Sequence, residues 1–225
     1  AELGDSSQQI LLVPEHASHV AEMDVCRACG DAASRHAEVL TFKLLATRVL
    51  GICGGSAEVT LDSGGKLLTL QRALTELAPA LKVYRRASQR AAFLESLLAV
   101  MEELQAYAVE PETLAEKVED LEGESGDKLR DIALLYGVYL ARLHAPGRDA
   151  REALQKLEEN LEASGYIDGK DIFLDGFSYF TGRELRILRI LLRRSKSMTV
   201  TLLGDTDDRE LFSASLRVRE QLFAL

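Results

Sequence analysis

Short apolar runs at both ends of the chain, each followed by a helical pattern, constrain the fold more than any other feature of the sequence. Residues 10–14 and 39–41 are two such runs near the N-terminus, and residues 171–175 and 198–203 are two more near the C-terminus. Short apolar runs of this kind are typical of strands buried on both faces, and strand–helix alternation favours parallel pairing. We therefore predict an α/β fold with a parallel sheet whose strands come from both ends of the chain.

The stretch between these strand regions carries only helical patterns. Its apolar residues recur at three- and four-residue steps, as at Leu67, Leu70, Leu74 and Leu77. Such stripes predict helices that pack through their apolar faces. The polar, glycine-containing run at 122–127 predicts a loop within this stretch. We expect one α/β domain, residues 1–55 plus 165–225, split by a helical insertion domain at 56–164.

The charge balance limits the ways in which the chain could bind a partner. Its 225 residues include 27 Lys plus Arg and 36 Asp plus Glu, for a net charge of −9. This excess of acid argues against a protein that holds nucleic acid by bulk electrostatics, although it allows a local basic strip. No apolar run approaches the ~20 residues that span a bilayer, and so no membrane contact is expected. Three cysteines favour a reducing compartment and hence a cytoplasmic protein, and a first residue other than Met suggests a processed or trimmed chain.

Polar or turn-forming residues follow each of the apolar runs, where a parallel sheet binds its ligands. These residues are Pro14, Glu15, His16, Thr41, Phe42, Asp175, Gly204 and Asp205. An Asp after a strand suits a Mg²⁺ site, but Asp and Gly are also ordinary turn residues. A magnesium-dependent phosphohydrolase that uses Asp175 and Asp205 therefore stays an alternative, as does an acidic α/β protein-interaction module without a DNA role.

Two clusters of basic residues are candidates for phosphate contacts. Arg183, Arg186 and Arg189 are spaced by three residues, which predicts one side of a helix. The second cluster comprises Lys82, Arg85, Arg86 and Arg90. A solvated helix face is the alternative interpretation of each cluster.

Five segments in a fixed order carry a resemblance to a known family. They are ILLVPEHA (10–17), VLTFKLLATRVL (39–50), DSGGKLL (62–68), IFLDGFSYFT (172–181) and VTLLGD (200–205). Together they resemble the N-terminal helicase-like region of the B subunit of the AddAB helicase–nuclease. The resemblance implies a superfamily 1 helicase fold, with a RecA-like, P-loop NTPase-like sheet. We expect the first strand and the P-loop of that fold to be missing from this chain.

The resemblance also implies roles for the residues at the strand ends. Residues 14–16 fall on a DNA-strand-contacting helicase motif, and Thr41 and Phe42 fall on the next motif. Asp175 falls on the Walker B aspartate, and the Gly204–Asp205 pair on the motif that follows. An active helicase would have Glu where Gly176 stands, as the base that orients the attacking water. The nucleotide and magnesium edge is therefore expected to be vestigial.

At the level of the whole protein, the resemblance implies a fragment of the B subunit of an ATP-dependent helicase/deoxyribonuclease that acts in double-strand-break repair by homologous recombination. The fragment would be a DNA-contacting scaffold without ATPase or nuclease activity of its own. The partners implied are DNA and the family's A subunit, in a heterodimer in which the A subunit translocates. ATP and Mg²⁺ would serve the full complex, and an iron–sulfur cluster would belong to a C-terminal region outside this chain.

Overall fold

Four short strands and nine α-helices make up the part of the chain that the computed structural model describes, which is residues 8–30, 36–54, 61–86, 90–143, 153–204 and 212–225. The strands are β1 (Gln9–Leu12), β2 (Ala37–Leu40), β3 (Asp171–Leu174) and β4 (Ser197–Val200). A 3₁₀ turn at Glu15–Ala17 precedes the first helix. The helices are α1 (Ser18–Cys29), α2 (Phe42–Cys53), α3 (Ser63–Leu77), α4 (Ala91–Ala106), α5 (Pro111–Glu119), α6 (Gly123–Leu143), α7 (Ala153–Ser164), α8 (Gly182–Arg194) and α9 (Ser213–Phe223).

The four strands form one parallel sheet in the order β2-β1-β3-β4, which confirms the predicted sheet type. Leu12 is level with Leu40 on one side and with Leu174 on the other, and Leu174 is level with Val200. The carboxyl ends of all four strands therefore finish together at one edge. The backbone amides of Val13, Asp175 and Thr201 continue the pairing by one residue, with N···O distances of 2.9–3.0 Å.

The core of the sheet unit lies on one face of the sheet. Four strand residues are at most 1% exposed, namely Ile10, Leu12, Ile172 and Leu174. They alternate with less buried neighbours, as expected for side chains that point to the same face of a sheet. Helices α2, α7 and α8 pack next to one another and contribute most of the remaining buried apolar residues. Burial on this face fixes the register of the central strands, since a slip of one residue would turn these side chains outward.

The chain divides into two compact units, a sheet unit of Ala1–Ser56 with Glu152–Leu225 and a helical unit of Ala57–Arg151. The helical unit has its own core, built on residues such as Leu70, Leu74, Tyr136 and Tyr139. Helix α7 lies within the range that the sequence assigned to the insertion. It packs instead on α2 and α8 of the sheet unit, because Leu157 and Leu161 are fully buried in that core.

Helix α6 begins earlier than the sequence predicted. The expected loop at 122–127 is wrong, since the helix starts at Gly123 and includes Gly126. A Cβ atom on Gly126 would lie well inside 3.0 Å of the carbonyl oxygen of Leu121, so this close approach requires glycine. The guanidinium of Arg130 donates to the same carbonyl at 2.9 Å and holds the turn before the helix.

Candidate functional site

The carboxyl edge of the sheet holds a cavity of about 300 Å³. Its wall comes from the connections that leave three strands, residues 13–16 after β1, 41–43 after β2 and 176–179 after β3. Thr181 and Glu184, at the start of α8, complete the wall together with Leu154. The site therefore follows directly from the level ends of parallel strands, where such sheets bind their ligands.

An aromatic cluster forms the inner side of this cavity. The rings of Phe42 and Phe177 meet edge to face, with centroids 5.7 Å apart. Phe177 also contacts Phe180, at 4.9 Å between centroids. Phe42 and Phe180 are buried, whereas Phe177 is partly accessible and lines the cavity. The cavity thus offers an apolar surface that suits a planar ring.

The outer rim of the cavity is polar and accessible. Glu15 and His16 lie in the 3₁₀ turn after β1, and both side chains are exposed. The ammonium of Lys43 lies 3.9 Å from the carboxylate of Glu15, a distance that leaves it free to rearrange. Tyr179 is 67% exposed. The rim therefore combines a cation, an imidazole and an exposed aromatic ring.

Two of the predicted contact residues have structural roles at this edge. The hydroxyl of Thr41 accepts a hydrogen bond from the amide of Leu44 at 3.3 Å and caps the N-terminus of α2. Thr41 is 2% exposed and Phe42 is 5% exposed. The structure thus brings Pro14, Glu15, His16, Thr41 and Phe42 together around one cavity, as positions on a common edge. Among them, Glu15 and His16 present exposed side chains.

The N-terminus of α8 is fixed by a capping box. The hydroxyl of Thr181 accepts from the amide of Glu184 at 3.3 Å, and the Glu184 carboxylate accepts from the amide of Thr181 at 2.8 Å. These reciprocal bonds satisfy two amides that the helix itself leaves unpaired. They also hold the segment that carries Phe177 and Tyr179 in one position against the cavity.

The three arginines of α8 differ in accessibility. Arg183 is 8% exposed, and its guanidinium donates to the Glu158 carboxylate of α7 at 2.7 Å. Arg186 lies 3.6 Å from the same carboxylate, and Arg189 is exposed. None of the three is among the described residues that line the cavity. Arg183 therefore joins two helices, while Arg186 and Arg189 stay accessible to a ligand.

The predicted nucleotide edge is described only in part. Asp175 is exposed, and its carboxylate accepts a hydrogen bond from the Thr201 hydroxyl. Gly204 is exposed, and Asp205 lies outside the described residues. Gly176 has φ +79°, and a Cβ there would stand 3.5 Å from Pro14. A glutamate at this position would adopt a left-handed backbone that favours glycine.

The opposite, amino-terminal edge of the sheet holds a second cavity of about 480 Å³, where several polar side chains contact one another. The Tyr166 hydroxyl donates to the Glu38 carboxylate at 3.1 Å, and the Arg48 guanidinium lies 3.2 Å from that carboxylate. The Lys170 ammonium lies 3.6 Å from the centre of the Tyr166 ring. Burial raises the pKa of the Tyr166 hydroxyl and lowers the pKa of the Lys170 ammonium. Because these polar groups already pair with one another, we take the carboxyl edge, where parallel sheets bind their ligands, as the candidate site.

Neither a metal cluster nor a membrane helix occurs in the described ranges. No three His, Cys, Asp or Glu residues there lie close enough together to hold one ion. Across the same ranges, every helix is too short or too polar to cross a bilayer.

The comparisons with known proteins agree with one another. The family model for "ADDB, N-terminal" matches residues 2–225. A relative from Thermoanaerobacter sp. (strain X514) is 32% identical over 228 residues, which cover 99% of this chain and 20% of the relative. A relative from Desulforamulus reducens is 34% identical over 206 residues, covering 90% of the chain and 18% of the relative. Both are named as the B subunit of an ATP-dependent helicase/deoxyribonuclease. The chain thus spans about a fifth of the length of the curated relatives it matches.

Proposed function

Because this chain belongs to the ADDB N-terminal family, we propose that it is the N-terminal helicase-like region of the B subunit of an ATP-dependent helicase/deoxyribonuclease. In this proposal it contacts single-stranded DNA and serves double-strand-break repair by recombination. The observation that carries the DNA contact is the cavity at the carboxyl edge, with its aromatic inner side and polar rim.

The composition of the cavity supports a base and its phosphate as the ligand. A volume of about 300 Å³ is large enough for a single unstacked base. Stacking on aromatic rings needs no particular base, because every base has a π-face. Phe177 and the exposed Tyr179 provide such rings, and Lys43 supplies a charge for a neighbouring phosphate. A local contact of this kind agrees with a chain whose net charge of −9 argues against a general electrostatic grip.

The wider assembly forms the second part of the proposal. We propose that the complete protein pairs with the family's A subunit in a cytoplasmic heterodimer, and that ATP and Mg²⁺ serve this complex. An iron–sulfur cluster is proposed for a region outside this chain. Asp175 and Gly204 are accessible at the carboxyl edge. We assign no step of ATP hydrolysis to the described residues, because Gly176 stands where an active helicase would have the glutamate that orients the attacking water.

Replacing Tyr179 by alanine is expected to weaken the binding of single-stranded DNA roughly 5- to 140-fold. Loss of one base–aromatic stack costs about 1–3 kcal/mol, and each 1.4 kcal/mol is about tenfold in affinity. The measurement is fluorescence anisotropy of a labelled oligonucleotide with the purified chain at low ionic strength. The separate substitution Lys43→Ala should lower the slope of log K against log salt by about 0.7, because one phosphate contact is lost.

Tyr107→Ala is the matched control, because Tyr107 is 50% exposed but belongs to the helical unit. It should bind DNA as the unsubstituted chain does. Equal affinity for the Tyr179→Ala, Lys43→Ala and Tyr107→Ala proteins, with unchanged thermal unfolding, would contradict a DNA site at the carboxyl edge.

A further inference from the structure

The helical unit carries a basic turn that the site at the sheet edge does not use. Between residues 82 and 90 the chain has four basic residues, Lys82, Arg85, Arg86 and Arg90, and no acidic one. All four side chains are exposed. Such a concentration of positive charge stands out in a chain with nine more negative than positive charges. We use the name basic turn for Lys82–Arg86 together with Arg90.

The backbone of the basic turn is fixed by a buried carboxylate. Asp131 of α6 is 4% exposed and accepts three hydrogen bonds from backbone amides. The donors are the amides of Lys82 at 3.0 Å, Val83 at 2.8 Å and Tyr84 at 3.0 Å. The Tyr84 ring packs on Phe93, with centroids 5.0 Å apart. The turn is therefore held from its inner side, and its basic side chains extend from a rigid support.

The arginines of the basic turn differ from Arg130 and Arg142 of the helical unit, which pair with carboxylates. Arg130 lies 2.6 Å from the Asp127 carboxylate, and Arg142 pairs with Glu76. In the described part of the chain, Arg85, Arg86 and Arg90 pair with no carboxylate, and Arg85 donates only to the Leu81 carbonyl, at 3.3 Å. Three guanidinium groups thus stay open to a ligand although acidic residues are in excess throughout the chain.

We propose that the basic turn binds the phosphate backbone of DNA, as a second contact surface separate from the cavity of the sheet unit. A guanidinium is weakly hydrated and presents a planar fork that matches a phosphate, so that it loses less side-chain entropy per hydrogen bond than an ammonium does. An acidic protein partner is less favoured, because protein interfaces have an apolar core and Val83 is the only exposed apolar residue among those of the basic turn. The inference rests on the proposed function in that DNA is the ligand.

The double substitution Arg85→Ala with Arg86→Ala tests this surface in the purified full chain. The probe is a fluorescein-labelled single-stranded oligonucleotide, titrated at several salt concentrations. We expect about tenfold weaker binding at low salt and a salt slope lower by about 1.4, since each lost contact to a single strand lowers it by about 0.7. The double substitution to lysine should keep the salt slope, because it keeps both charges.

The control removes the same charge elsewhere, through Arg27→Ala with Arg72→Ala, both exposed residues that are not part of the basic turn. If this control lowers affinity and salt slope as much as the Arg85/Arg86 variant, the effect is one of net charge and the inference is overturned. Tighter binding of an acidic polypeptide than of DNA by the basic turn would also overturn it. If the Arg85/Arg86 variant keeps its salt slope while the Tyr179→Ala protein binds DNA more weakly, the basic turn is not a DNA contact and the proposed function stands. If neither the Arg85/Arg86 variant nor the Tyr179→Ala protein binds DNA more weakly, both the basic turn and the DNA site at the sheet edge are rejected.

Discussion

Replacing Asp131 by alanine is expected to lower the free energy of unfolding by about 3 kcal/mol, because three backbone amides lose their acceptor at once. A buried donor without a partner costs about 1–3 kcal/mol, and water can reach the amides of this turn only in part. A loss of this size corresponds to a fall of roughly 10 °C or more in the melting temperature of a unit of this size. Thermal unfolding followed by circular dichroism measures it.

Hydrogen exchange locates the effect within the chain. Peptides that cover residues 81–86 should exchange faster in the Asp131→Ala protein, whereas peptides that cover β3 should keep their protection, since β3 belongs to the other unit. Asp120→Ala is the matched control, because Asp120 is exposed at the end of α5. Equal melting temperatures for the two variants would show that the buried carboxylate does not hold the basic turn.

The second large effect is expected from alanine at Gly126. Its new Cβ would overlap the carbonyl oxygen of Leu121, a backbone atom that can move only if the start of α6 moves with it. Overpacking of this kind costs about 1–3 kcal/mol, occasionally more. The higher helix propensity of alanine offsets less than about 1 kcal/mol of this cost. Urea denaturation of the full chain should show the loss as a lower midpoint.

Gly137 provides a control within the same helix. A Cβ there would lie 3.7 Å from the side chain of Pro111, an ordinary van der Waals contact. Gly137→Ala should therefore raise stability by up to about 1 kcal/mol through helix propensity alone. If both alanine variants shift the midpoint in the same direction, the close approach at Gly126 is not what sets the start of α6.

The sheet and its edge could be predicted from the sequence because their signals are local. A run such as Ile10–Val13 is apolar over the length of a strand, and Thr41 has the chemistry of a helix N-cap directly after another run. Parallel pairing then places the residues after each strand at a common edge. The contact between Phe42 and Phe177 needed the structure, because it joins segments far apart in the chain.

The features that the sequence did not reveal depend on distant partners. Asp131 lies in a helix, and nothing near it in the sequence points to amides almost fifty residues earlier. Arg183, Arg186 and Arg189 are spaced by three residues, but a helix has 3.6 residues per turn, so the three side chains leave it in different directions. Arg183 is the most buried of the three and pairs with Glu158 of α7, a partner that the spacing alone does not reveal. The start of α6 resembles a loop because it is polar and contains two glycines, and the close approach of Gly126 to Leu121 is visible only in the structure.

The pairing of β1 with β3 has a consequence for how the chain is made. These strands are neighbours in the sheet, yet the ribosome must synthesise the whole helical unit after β1 before β3 emerges. At elongation rates of about 5–20 residues per second this interval is on the order of ten seconds. The helical unit has a core of its own and can fold during that time, while Ile10 and Leu12 remain without the strand that completes their core. We expect the nascent N-terminal strands to be the segment of this protein that most depends on chaperones.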